Sequence, residues 1–292
     1  FTDATFKLDN IEAKGDVKVK LSGAVPYIEL KLDTNEIDFN LFKPQQQRQA
    51  SSFISSAYAA EGGWSDSSMN FSALRSINMI ANINASGLRM DNIKVGKTVF
   101  RSKIQHGRLS MDILDAEFYK GKANIFVNID ASSTAATVEK RISLIDVHME
   151  PLLIDMQATD RFSGRTNLQL NVVTSGNTER QMVSNLHGSG NIKCEDGSIK
   201  GINIAEMVRN VQSAFKPVDK TSQKTDFSEA GGTFTITNGI ISNNDLVMKA
   251  PLFRVKGAGT VNLPQRMINY RLLPEMVETI QGQGGKEKQG IG

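Results

Sequence analysis

Cysteine, tryptophan and histidine are scarce in this chain of 292 residues, which holds one Cys, one Trp and three His. Cys194 alone closes no internal disulfide, so no covalent staple supports the fold, and a lone thiol says nothing about the redox compartment. His106, His148 and His187 form no metal-ligand motif with another histidine, a cysteine pair or an acid. No metal, no cofactor and no catalytic residue are expected on that basis. Long hydrophobic runs are missing too: no stretch reaches the roughly 18 apolar residues of a membrane-spanning helix. Nor does either sign of charge dominate, since 34 basic residues against 31 acidic ones leave a net charge of +3 spread along the chain. Without a basic stripe, nucleic acid is excluded as a partner. The chain opens Phe1-Thr2-Asp3, with neither a methionine nor a charged-then-apolar leader, and reads as a fragment or processed product, any anchor lying outside it.

What is abundant is alternation with a period of two, the pattern of a strand whose successive side chains point to opposite faces of a sheet. Val17, Val19 and Leu21 alternate with Lys18 and Lys20; Ile28, Leu30 and Leu32 alternate with Glu29 and Lys31; Ile37, Phe39 and Leu41 alternate with Asp38 and Asn40. The pattern resumes through Ile77, Met79, Ala81 and Ile83, then Leu88 and Met90, then Leu109, Met111 and Ile113, then Ile125, Val127 and Ile129. Gly87, Gly96, Gly107 and Gly121 fall between runs, where turns of an antiparallel meander are expected. Further runs carry Phe234 and Ile236, Leu246 and Met248, Phe253 and Val255, Val261 and Leu263, and Ile268, Tyr270 and Leu272. About fifteen strands result, against three or four short helices.

The helices are expected where alternation fails: His148 to Met156, with Pro151 in the first turn; Asn177 to Leu186, with Asn177 as cap; and Asn203 to Phe215, with Asn203 and Glu206 as a capping box. Composition divides the chain into amino-terminal strands at 1–42, a Gln-, Ser-, Ala- and Gly-rich linker or loop at 43–70, a β-domain with short helices at 71–281, and a flexible tail at 282–292. Ser51 to Ala60 reads as loop rather than helix, and Trp64 is the residue that could anchor the linker to the sheet. Gly188-Ser189-Gly190 precedes a strand and lacks the Gly-Lys-Ser of a phosphate loop, so turn glycines are expected there.

So many amphipathic strands carry an apolar face that must meet helices, a second sheet or a ligand. The expected helices are too few and short to cover it. An open trough would suit acyl chains, because a strand of eight residues spans about 26 Å at roughly 3.3 Å per residue, the length of an extended lipid tail. A closed sandwich or barrel would instead bury the same face as core. The candidate groove residues are Ile77, Met79, Ile83, Leu109, Met111, Ile113, Ile125, Val127, Ile129, Leu168, Leu170 and Val172.

The stretch from Gly188 onward, GSGNIKCEDGSIKGINIAEMV, resembles the signature of the AsmA family. Ala116-Glu117-Phe118-Tyr119-Lys120-Gly121 resembles that family's Tyr-Gly-Gly turn, with Lys120 where a second glycine is usual. Phe162-Ser163-Gly164-Arg165-Thr166 resembles the strand opener that follows its Pro-Leu-Leu helix. Thr225-Asp226-Phe227-Ser228, Asn238-Gly239-Ile240 and the run from Phe253 to Leu263 follow in the family's order. Asn203-Ile204 replace the usual Asp-Leu, and relatives add a strand beyond Gly290-Ile291-Gly292.

The resemblance implies a mainly β fold with accessory short helices, a long curved antiparallel sheet forming a taco-like groove or an incomplete barrel or sandwich. It also implies a periplasmic location in a Gram-negative envelope, tethered to the inner membrane by a segment outside this chain. Related bridge-like proteins pass phospholipid tails along such a groove, so phospholipid or another envelope lipid is the expected partner, and the chain is not expected to be an enzyme. The alternative is an assembly factor in outer-membrane biogenesis that docks envelope proteins through its edge strands or the 203–215 helix. A hydrolase would need perturbed acids; Asp226 and Glu229 are the nearest in a conspicuous motif, and a turn role is expected for them.

Overall fold

The structure, a computed structural model, describes residues 1–42, 63–204 and 223–277. Alternation is realised as one sheet of fifteen strands. The first group is β1 (Ala4–Leu8), β2 (Ile11–Lys20) and β3 (Tyr27–Asp38). After α1 (Ser72–Ser76) come β4 (Asn78–Met90), β5 (Ile93–Val95), β6 (Thr98–Gln105), β7 (Arg108–Phe118), β8 (Gly121–Asp130) and β9 (Ala136–His148). Helix α2 (Met149–Asp155) leads to β10 (Phe162–Gly176), and α3 (Glu179–Ser184) leads to β11 (His187–Lys200). The remainder is β12 (Lys224–Thr237), β13 (Ile240–Lys249), β14 (Phe253–Asn262) and β15 (Met267–Met276).

Spatial order follows chain order, except that the short β5 pairs with β4 alone. The sheet is long, open and curved, and it does not close into a barrel. Its pairs are antiparallel with one exception: β3 and β4 run parallel, Leu30 lying opposite Ala81. Two-residue turns cannot join parallel strands, which need a connection of about a dozen residues or more; the long excursion after Phe42 meets that need.

Curvature has a local cause. At Asp115, Asp146 and Asp196, all at positive φ near 50°, the ladder slips by one residue. Each extra residue is a β-bulge, which bends the strand and tightens its twist. Bulges also move the apolar residues from two apart to three apart, so that Ile113 and Ala116, Leu144 and Val147, and Cys194 and Gly197 in turn stay paired across the ladders.

Several local expectations are corrected. Alternation does not continue through Phe39 and Leu41: the Asp38 carboxylate accepts the Asn40 amide at 2.9 Å, and Phe39–Phe42 form a 3-10 turn. Gly87 is no turn residue but lies inside β4, where a Cβ would come within 3.1 Å of the Val95 carbonyl. Gly188 and Gly190 lie within β11, and Asp226 and Glu229 within β12, none of them in a turn. The cap of α3 is Thr178 rather than Asn177, its hydroxyl accepting the Gln181 amide at 3.2 Å. Helix α1 was not expected. The readings at 51–60 and 282–292 lie outside the described residues, as does the 203–215 helix beyond Ile204.

The helices sit at the two long rims, where strands end. On one rim, Leu152 of α2 packs with Ala116, Phe118, Ala123, Leu144 and Val147. Burial, and after it a 2.7 Å hydrogen bond to Asp155, pushes the Tyr119 hydroxyl pKa up to about 12, so at neutral pH it remains a donor that pins this helix. On the other rim, Met182 of α3 packs with Ala131 and Ala136, joined by Met69, Phe71 and Leu74. Residues 64–76 run along this second rim as a strap. Trp64 Nε1 donates to the Leu263 carbonyl at 2.8 Å, Arg180 pairs with Asp66 at 2.7 Å, the Met69 amide donates to the Asn177 carbonyl, and Arg75 Nε donates to the Ala131 carbonyl.

Candidate functional site on the apolar face of the sheet

Residues directly opposite each other in a ladder share a face, so the register itself assembles the site. One row runs Ala81, Ser102, Met111, Val127, Lys140, Val172 and Gly188 across seven strands. A second runs Ile83, Phe100, Ile113, Ile125, Ile142, Leu170 and Gly190, and a third runs Met79, Ile104, Leu109, Ile129, Val138 and Thr174. Ala116, Ala123, Leu144, Leu168 and Ile192 form a fourth row beyond the first bulge. The opposite face carries Lys103, Ser110, Asn128 and Glu139 in one row, and Asn82, Arg101, Asp112, Phe126 and Arg141 in another.

Eleven of the twelve residues singled out from the sequence therefore lie on one face. Ile77, just ahead of β4 in extended conformation, shares the parity of Met79. Val127 is buried and the other eleven are half-buried. The clusters separate two roles that alternation could not. Ile113 and Leu168 pack against the α2 rim, Ile83 against Ala85 and Leu88, and Ile129 against the α3 rim. Met111, Val127, Leu170 and Val172 belong to none of the buried clusters. They form the middle of the face, over which the described residues place neither a second sheet nor a helix.

Small residues shape that floor. A Cβ on Gly190 would sit 2.5 Å from Phe234 Cζ, so the phenyl ring occupies the space above β11 that a side chain would take. Lys140 is the residue that the sequence reading missed. In the four rows from β4 to β11 the other members are apolar, Gly, Ser or Thr, and Lys140 is the one charged position. Its signal was present in Val138-Glu139-Lys140-Arg141-Ile142, where Lys140 holds the apolar parity. Burial pushes its pKa below the ordinary lysine value.

The groups considered for chemistry are otherwise engaged. Glu229 pairs with Lys249 at 3.0 Å and Lys193 at 3.4 Å, and Asp226 with Lys224 at 2.8 Å. Cys194 is 2% exposed, and burial raises its thiol pKa, which disfavours the thiolate a nucleophile needs. A cleft of about 770 Å³ lined by Asp33, Lys97, Asp115 and Glu117 opens beside β4 and β6. Among the described residues no group of three or more His, Cys, Asp or Glu converges as metal ligands.

A single open sheet with a continuous hydrophobic face and rim helices defines the class of molecule. The AsmA family model matches residues 4–246, from β1 into β13, and the chain belongs to the AsmA family, which is associated with the cell envelope. No match was found among curated proteins or among solved structures. No described helix is long and apolar enough to cross a membrane.

Proposed function

We propose that this chain handles envelope lipid, holding phospholipid acyl chains along the apolar face of its sheet and passing them between inner and outer membranes. The observation that carries this reading is the run Met111, Val127, Leu170 and Val172, apolar and outside the buried clusters of the described residues, in the middle of a face that the rim helices flank. Each methylene moved from water onto such a surface contributes about 0.8 kcal/mol, so a single tail is held without any directional contact. The sheet extends roughly 60 Å across its strands at about 4.8 Å per strand, longer than one lipid, which fits a path better than a pocket. The reading assigns no catalytic residue and no cofactor. It places the chain in the periplasm, tethered to the inner membrane through a segment outside this sequence. Lipid extraction and mass spectrometry of the purified chain test it: co-purifying phospholipid is expected, and protein free of lipid that also fails to take up a fluorescent phospholipid from vesicles would overturn it.

A second reading, an assembly factor that docks envelope proteins, is favoured by the edge strand β15. It exposes Met267, Ile268, Leu272, Leu273 and Met276 beside a backbone edge that no described strand pairs, the arrangement that invites strand addition. A stoichiometric protein partner that is lost on Leu273→Lys substitution, with no lipid recovered, would replace the first reading with this one.

A further inference from the structure

Between β12 and β15 the apolar face of the sheet holds a polar island. Strand β13 carries one extra residue between Asn243 and Leu246 against both of its neighbours, and this bulge brings polar side chains onto the face. Their side is fixed by Gly232, which lies opposite Ile192 in the fourth row: a Cβ there would come within 2.9 Å of Asn243 Nδ2 and 3.0 Å of Asp245 Oδ1. Among the described residues the Asp245 carboxylate is held by neutral donors. The Thr233 amide reaches Oδ1 at 2.8 Å, the Thr233 hydroxyl reaches Oδ2 at 2.7 Å, and Asn243 Nδ2 reaches Oδ1 at 2.7 Å. These bonds, the Thr233 hydroxyl foremost, hold the carboxyl below the ordinary aspartate value, so it is an anion at neutral pH. The Tyr270 hydroxyl donates to Asn243 Oδ1, and its ring shares the space over Gly257 with Leu246 and Leu272. Asp245 is exposed, and apolar rows lie on both sides of it: Ile236, Ile241 and Val261 toward one rim, Met248 and Val255 toward the other. The bulge needs an acceptor for the Thr233 amide, which an asparagine oxygen would supply; a full negative charge among hydrocarbon is more than the bulge requires.

We propose that Asp245 is a headgroup site for lipids that carry an ammonium: the cation pairs with the carboxylate beside the Tyr270 ring, and the tail lies on the apolar rows alongside. The inference rests on the lipid-handling reading and deepens it by naming the headgroup class. Charge complementarity commits the occupant, since an anion set among hydrocarbon matches an amphiphile with one cationic end, and the attraction is stronger there than in bulk water.

The test uses the full chain with a long-chain alkylamine that carries a fluorophore on its tail, and with its N-acetyl derivative, which shares the tail and lacks the charge. The amine is expected to bind about tenfold more tightly, the scale of one charge-assisted hydrogen bond. Asp245→Asn keeps an acceptor for the Thr233 amide and should abolish that preference while leaving the affinity of the N-acetyl derivative unchanged. Glu275→Gln, which removes one charge from the opposite face of β15, should leave the preference intact. Ethanolamine, an ammonium without a tail, should fail to displace the amine at the same concentration; displacement would assign the site to a soluble cation and overturn the proposal. Carbodiimide coupling locates the ammonium without any substitution: peptide mass spectra should show the amine joined to Asp245, and adducts confined to other carboxylates would overturn the assignment. Equal binding of the two probes to the unsubstituted chain, or a preference that survives Asp245→Asn or is lost in Glu275→Gln, would overturn it while leaving the lipid face standing. Binding of neither probe would overturn the lipid face and the headgroup site together.

Discussion

The Asp146 amide donates to the Asn167 side-chain oxygen at 3.2 Å, across the ladder between β9 and β10, where one extra residue interrupts the register. The same arrangement joins Asp115 to Asn124 at 2.9 Å between β7 and β8. At the third bulge the Asp196 carboxylate accepts from Arg165 at 2.7 Å, and Arg165 also lies 3.9 Å from Asp146. Three bulges on alternate strands thus share one construction. An Asp adopts the left-handed conformation, and a side chain across the ladder holds it, supplying the amide partner in the two Asn cases. The extra twist accumulates in one direction, which curves a sheet this wide.

The first prediction concerns that construction. Asp tolerates positive φ, whereas a β-branched residue is strained there by about 1 to 3 kcal/mol. Asp146→Val is expected to lower the urea midpoint by that order, and Asp146→Asn to leave it nearly unchanged. Equal effects of the two substitutions would show that charge, not backbone conformation, holds the bulge.

Close packing above β11 gives a second. With a Cβ 2.5 Å from both Phe234 Cζ and the Gln169 carbonyl oxygen, Gly190→Ala must displace the ring and shift the neighbouring backbone, at an expected cost of about 1 to 3 kcal/mol, of which Phe234→Leu relieves only the ring's share. Combined with Phe234→Leu, the alanine should cost less than alone. Strict additivity in the double-mutant cycle would sink the assignment of this glycine to ring clearance.

Strands, their number and the shared face of eleven of the twelve candidate residues were legible because period-two alternation depends only on local parity. What parity cannot express is a slip. Ile113 and Ala116 lie three apart, as do Leu144 and Val147, and a reader counting by twos meets a break where the ladder has a bulge. The parallel step from β3 to β4 was hidden for another reason: Leu30 and Ala81 are about fifty positions apart, and strand direction across such a gap leaves no mark on either strand. Lys140 was legible and passed over, since its neighbours Glu139 and Arg141 made the stretch look merely charged. The division of the face into rim core and a middle that no described helix or second sheet covers depends on where α2 and α3 fold back, which no local pattern states.

The rim strap yields a third prediction. Trp64 is the chain's one tryptophan, so its fluorescence reports docking of the strap without interference. Arg266 lies over its ring at 4.9 Å and its indole donates to Leu263, both at the turn from β14 to β15. Arg266→Gln is expected to change the emission intensity with far-ultraviolet circular dichroism unchanged, and Trp64→Phe to cost about 1 kcal/mol through the lost hydrogen bond. Emission identical in the Gln variant would place Trp64 away from that turn.

Acid stability supplies a fourth. The hydrogen bond from Lys249, and less strongly that from Lys193, holds the Glu229 carboxyl below its ordinary value of 4.5. A group whose folded pKa is lowered stabilises the fold above its unfolded pKa and loses that contribution as pH falls through the folded one. The Glu229 side chain is 36% exposed, so solvent screening keeps the contribution under about 1 kcal/mol. Glu229→Gln should therefore lower the urea midpoint slightly near pH 7 and leave it unaltered near pH 2. A loss of equal size at both would assign Glu229 a packing role instead.

The last prediction uses the parity of β7 as its own control. Leu109 and Met111 share the apolar face with Ile129 and Val127, while Ser110 and Asp112 point to the other side with Asn128 and Phe126. Adjacent positions on one strand are nearly identical in depth, distance to the rims and access to bulk lipid, and differ in face alone. A photoreactive benzophenone side chain placed in turn at 109, 110, 111 and 112, with vesicles carrying radiolabelled phospholipid, should give adducts at 109 and 111, which share the apolar face, and little at 110 and 112. Non-specific adsorption of vesicles would label all four alike, and a sealed face would label none. A contrast of period two in the adducts is the one outcome that places acyl chains on the face built by Met111, Val127, Leu170 and Val172.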